Sequence, residues 1–193
     1  MLKKSALVLG VLLLFKVAQA QDAAPSRYGI IPYPQQLVPQ AGEFVITTKT
    51  KLVVPAGKVF SNEAAQLQAL MKQGLGQALP AGTKAGAGTI VLTQNDQLAG
   101  EEDYTLQIST QQIRVSAKTP TGMFRAIQTL RQLMPVAVEG TTTKLTKIAI
   151  PAADITDHPA YGWRGMHLDV SRHFFSIDYL KKFINVLALY KMN

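Results

Sequence analysis

Cysteine is absent from the 193 residues. That excludes a disulfide framework and lipid attachment through a thiol, so the fold must rely on its core. Histidine is scarce: His158, His167 and His173 are scattered and lack the spacing of a metal site. No metal and no organic cofactor is expected. Apolar runs are short. Residues 6 to 15 form a ten-residue apolar stretch, well below the roughly 20 residues that a transmembrane helix needs. No second stretch approaches that length. The chain also lacks a glycine-rich phosphate loop, a nucleophile elbow and a dinucleotide fingerprint.

The apolar stretch follows Lys3 and Lys4 and precedes Ala18-Gln19-Ala20. A basic start, a short apolar core and a small-x-small site make residues 1–20 a signal peptide cleaved after Ala20. Export to a bacterial periplasm or to the medium follows as an expectation, with no membrane span after cleavage. Losing Lys3, Lys4 and Lys16 leaves 17 basic against 12 acidic residues, a net +5. The remaining basic residues are spread out, with Lys181-Lys182 their only adjacent pair. Nucleic-acid binding calls for a clustered patch in a recognisable module, so no nucleic-acid partner is expected. Nothing in the sequence specifies an oligomeric state.

Residues 21–29 read as a flexible lead-in, and Pro32 and Pro34 force an extended path after it. From there the pattern mixes strands with two helices. Short β-branched runs fall at 44–47, 52–54 and 89–93. Tyr104, Leu106 and Ile108 alternate with polar residues, as do Ile113, Val115 and Ala117 after a polar turn. That hairpin should pack one face and wet the other. Helical spacing predicts one helix over 59–79, through Ala64, Leu67, Leu70 and Met71. A second is predicted over 121–134, with Met123, Ile127, Leu130 and Met134 on one stripe. A sheet with helices on one face buries both apolar surfaces, so residues 30–153 are expected to be an α+β domain. About 120 residues is an ordinary domain size.

A second unit is expected over 154–193. Residues 163–170 read as a strand, Ser176 as the N-cap of a helix, and Asp178 as an acid at its positive end. Leu180, Phe183, Ile184, Leu187 and Ala188 form that helix's apolar face.

Several segments carry a family resemblance: Asp157-x-Pro159, Arg164-Gly165, Leu168-Asp169-Val170, Ser171-Arg172-His173-Phe174-Phe175 and Tyr190-Lys191-Met192-Asn193. Upstream stand Ile31-Pro32-Tyr33-Pro34, Tyr104-Thr105-Leu106 and the run Gly122 to Leu130 containing Ala126, Gln128 and Thr129. In this order they resemble the family-20 glycoside hydrolases, the β-N-acetylhexosaminidases. Ala160 departs from that pattern, where many relatives have arginine. The resemblance implies an accessory α+β domain followed by the truncated start of a (β/α)8 TIM barrel. It implies an exo-acting hydrolase removing terminal N-acetylglucosamine or N-acetylgalactosamine from an oligosaccharide or glycoconjugate. The mechanism would be substrate-assisted retention, in which the 2-acetamido oxygen attacks the anomeric carbon.

By the same resemblance Arg164 is the expected substrate-binding residue, its guanidinium donating to sugar hydroxyls, with Asp169 the further candidate. Arg172 and His173 are read as a structural corner, Trp163 as core, and the acidic run at 101–103 as a solvated turn. The family's catalytic Asp-Glu pair has no counterpart in these residues, so the chain by itself is expected to be inactive. The competing reading is a non-catalytic carbohydrate-binding or structural domain that shares the accessory fold.

Overall fold

The computed structural model describes residues 27–140 and 143–193. The expected signal peptide and most of the expected lead-in lie outside those residues.

A six-stranded mixed sheet forms the frame, in the order β1-β6-β4-β5-β3-β2. The strands are β1 (Gln36–Ile46), β2 (Lys51–Val53), β3 (Thr89–Gln94), β4 (Tyr104–Ile108), β5 (Gln112–Ala117) and β6 (Ile148–Asp157). β1, β6, β4 and β5 are successively antiparallel, while β3 runs parallel to both β5 and β2. Two helices, α1 (Ser61–Leu75) and α2 (Pro120–Gln132), pack their apolar stripes on the sheet. Leu67 and Met71 of α1 join Met123, Ile127 and Leu130 of α2 in one cluster with Ile90, Leu106, Ile113 and Ile150 from four strands. The first arm of the hairpin alternates as expected, with Tyr104, Leu106 and Ile108 buried and Gln107 between them exposed, whereas on the second arm Ser116 is buried along with Val115 and Ala117.

Several features differ from the sequence reading. The lead-in is tied down at its end: Tyr28 is buried and its hydroxyl donates to Ala152 O at 2.6 Å. β6, which the sequence reading did not single out, is a central strand. Its Pro151 breaks the usual strand pattern, because proline cannot donate to a ladder. The register explains the tolerance. β4 engages β6 only from Ala153 onward, so Pro151 faces β1 alone, beside the irregularity between Pro39 and Glu43. β6 then runs past the expected boundary at Asp154 as far as Asp157, which pairs with Tyr104.

Beyond β6 the chain has one regular element, α3 (Ile177–Leu189), capped by Ser176 Oγ accepting from Tyr179 N at 3.3 Å. Residues 163–170, expected as a strand, form none, and Trp163 is 86% exposed rather than core. A parallel barrel strand is held by ladders on both sides, and no described strand pairs with this segment. α3 buries none of its residues. Among the described residues no helix is long and apolar enough to cross a membrane.

Candidate functional site

A cluster of charged side chains sits where β4, α2 and the end of β6 meet the chain on either side of α3. Its foundation is the turn before β4. Thr119 caps α2 by accepting from Gly122 N at 3.2 Å, and its hydroxyl also donates to Glu101 O. Gly122 lets the helix start press on that turn, since a Cβ there would lie 2.6 Å from Asp103 O. Asp103 closes the turn by accepting from Gly100 N at 2.8 Å. Glu102 is thereby aimed at α2 instead of at solvent.

The Glu102 carboxylate is paired twice. Arg125 Nε donates to Oε2 at 2.7 Å, and Arg164 Nη2 donates to the same oxygen. These side chains are 16%, 8% and 18% exposed respectively. Burial pushes the Glu102 carboxyl upward, but the hydrogen bonds and charges of Arg164 and Arg125 outweigh it and hold the group below its usual range. The acidic run is therefore not a solvated turn at Glu102.

Beside this pair lies a second one. Lys191 Nζ donates to Asp157 Oδ2 at 2.9 Å and to Tyr104 Oη at 2.8 Å. Tyr104 Oη donates to Asp157 Oδ2 at 2.7 Å and lies 2.5 Å from Thr129 Oγ1. Gln35 N donates to the other Asp157 oxygen at 3.1 Å. Burial lowers the Lys191 ammonium below its ordinary value, against the pull of Asp157. Burial and the Asp157 charge raise the Tyr104 phenol well above its own. Among the described residues no buried side-chain nitrogen or oxygen lacks a partner. An apolar-walled cavity of about 300 Å³ opens over both pairs, flanked by Tyr33, Pro159 and Tyr161.

Arg164, expected to reach a sugar, is placed in this cluster. Each of its three guanidinium nitrogens donates to protein: Nε to Lys191 O at 3.0 Å, Nη1 to Tyr161 O at 2.7 Å, and Nη2 to Glu102. Three of its five N–H groups thus go to acceptors from its own chain. Asp169 makes no hydrogen bond to this cluster; its partners are Ser171 and Arg172. It accepts from Ser171 N at 2.9 Å and from Arg172 N at 3.0 Å, and it pairs with Arg172 Nε. The backbone and side-chain hydrogen bonds from Arg172, then that from Ser171, hold its carboxyl below the ordinary range. Arg172 is 91% exposed, and neither of its terminal nitrogens bonds to a described residue. His173 rests against Phe175, with ring centroids 5.1 Å apart. Among the described residues no group of three or more His, Asp or Glu could hold a metal ion.

The arrangement is that of an α+β domain joined through a charged junction to the chain on either side of α3. Residues 27–158 match the model of glycosyl hydrolase family 20, domain 2, and residues 161–193 match that of the family's catalytic domain. This chain belongs to glycosyl hydrolase family 20. It is 36% identical to a β-N-acetylhexosaminidase of Cellulomonas fimi over 85% of its length, but spans only 33% of that protein. The GH20 β-N-acetylhexosaminidase of Streptomyces coelicolor A3(2) superposes with a TM-score of 0.80 and 34% identity, over 86% of this chain and 34% of that one. A mutant β-hexosaminidase of Streptomyces plicatus, solved with the product GlcNAc, gives 0.78 and 34%, over 86% and 33%. The chain thus spans about a third of the length of these relatives.

Proposed function

We propose that this chain supplies the accessory domain and the first barrel elements of an exported, exo-acting β-N-acetylhexosaminidase. Its substrate would be a glycan ending in N-acetylglucosamine or N-acetylgalactosamine. The observation that carries the reading is the tandem match of both family-20 units, in order, along one chain. Retention would be substrate-assisted: the acetamido oxygen attacks the anomeric carbon while a carboxylic acid protonates the leaving oxygen. The carboxylate that orients the acetamido group, and that acid, would come from barrel strands other than the segment 163–170.

Within these residues, the sugar-facing part is the corner after the expected strand. Barrel active sites lie at the C-terminal ends of strands, and Asp169 and Arg172 stand at that end while Arg164 stands at the opposite one. Asp169 stiffens the corner by gripping two backbone amides, and Arg172 keeps donors free for adjacent hydroxyls. Arg164, with its fork engaged, serves the barrel floor.

The test is hydrolysis of a chromogenic N-acetyl-β-glucosaminide by the full-length protein, with Arg172→Ala and Arg164→Ala beside it. Losing a hydrogen bond from a charged group costs about 1.5–3 kcal/mol. Arg172→Ala should therefore lower kcat/KM roughly 10- to 150-fold with the melting temperature unchanged, and Arg164→Ala should mainly lower the melting temperature. An inactive full-length protein sinks the hydrolase reading. The reverse pattern, with Arg164→Ala stable but poorly active, returns Arg164 to the sugar.

A further inference from the structure

We propose that Glu102 is a positioning residue: from the accessory domain it clamps the two chain segments that enter adjacent barrel strands, and so sets the sugar-facing end of the first. This rests on the hydrolase reading for its catalytic consequence, but the clamp itself is a matter of geometry. Three segments distant in sequence converge on one carboxylate. Arg125 comes from α2, Arg164 heads the segment 163–170, and Asn193 follows α3, with Nδ2 3.5 Å from Glu102 Oε1.

The two barrel segments are also tied to each other. Asn193 N donates to Arg164 O at 3.1 Å, Arg164 N donates to Asn193 Oδ1 at 2.9 Å, and Asn193 Nδ2 donates to Gly162 O at 2.8 Å. A main-chain bond between chain that enters one strand and chain that has left the following helix is the contact expected of neighbouring barrel strands. Arg125 Nη1 then anchors the second segment by donating to Met192 O at 2.9 Å, and Arg164 Nε does so at Lys191 O. Without the Glu102 charge, the Arg125 and Arg164 guanidiniums would face each other unneutralised, both largely shielded from water. The register of both segments therefore depends on an acid from the other domain. A shift at Arg164 would be passed along the segment 163–170 to Asp169 and Arg172 at its far end.

Two measurements test this. Amide hydrogen exchange on the 193-residue chain should show the Arg164 and Asn193 amides of Glu102→Gln exchanging roughly ten- to a hundredfold faster than in the parent. Leu106 and Val115 in the sheet should keep their rates. Equal rates at Arg164 and Asn193, or equal acceleration throughout the sheet, overturns the clamp. In the full-length protein, assayed where circular dichroism shows both variants folded, Glu102→Gln should lower kcat on the chromogenic glucosaminide and Glu102→Asp should restore part of it. A parent without turnover removes the hydrolase reading and leaves the exchange result to decide the clamp. An active parent with unchanged turnover in Glu102→Gln overturns the positioning role.

Discussion

Lys191 reaches back across α3 to place its ammonium 2.9 Å from Asp157 Oδ2, at the last residue of β6. Both side chains are almost wholly buried, at 6% and 11% exposure. The end of the accessory sheet is thus joined to the chain leaving α3 by a desolvated ion pair completed by Tyr104. Removing one partner of such a pair leaves the other charge uncompensated and costs about 3–5 kcal/mol. Lys191→Met should lower the urea midpoint accordingly, with its slope unchanged. A midpoint equal to the parent's would mean that Asp157 is adequately held by Tyr104 and Gln35 alone.

Acid should loosen the junction through Glu102. Its folded pKa lies below the unfolded value of about 4.3. The stability it contributes is fully present above that unfolded value and is lost as pH falls through the folded one. Urea midpoints should accordingly drop below about pH 4 in the parent. Glu102→Gln should start lower at neutral pH and fall less steeply with acid. Parallel curves for the two proteins would assign the acid loss to other carboxylates.

Gly122 tests the packing of the helix start on the Glu102 turn. An added Cβ would approach Asp103 O to 2.6 Å and Glu101 O to 3.1 Å, both backbone atoms that cannot swing aside. Gly122→Ala should cost about 1–3 kcal/mol, the usual penalty of overpacking, despite alanine's better helix propensity. A melting temperature at or above the parent's would show that the turn yields freely.

Truncation locates the edge of the accessory domain. A chain ending at His158 retains all of β6 and should unfold cooperatively. One ending at Ala153 loses the pairs of β6 with β4 from Gln107↔Asp154 to Tyr104↔Asp157, and should melt lower or be cut rapidly by protease. Equal stability of the two would place the boundary at Asp154 after all.

Much of this architecture is written in local pattern. The alternation through Tyr104–Ile108 and Gln112–Ala117 marks a hairpin whose apolar face is packed. The stripes of α1 and α2, and the Ser176 cap of α3, follow from helical spacing and hydrogen-bonding capacity. The motif order through residues 157–193 pointed to the family without any contact being known.

Other features depend on residues far apart. Whether Pro151 can sit in a central strand depends on where β4 stops, which no reading of the strand's own residues contains. Glu102 looks solvated in sequence because its neighbours Glu101 and Asp103 are acidic. Its partners Arg125 and Arg164 lie 23 and 62 positions away. The surroundings of Arg164 have the same cause: a motif names the side chain, but only the folded chain supplies the acceptors it donates to, Lys191 O, Tyr161 O and Glu102. A local sequence dictates periodicity, caps and turns because those interactions span a few residues. Charge pairing and strand order are decided by the tertiary fold, because burial brings distant groups into a medium where each must find a partner.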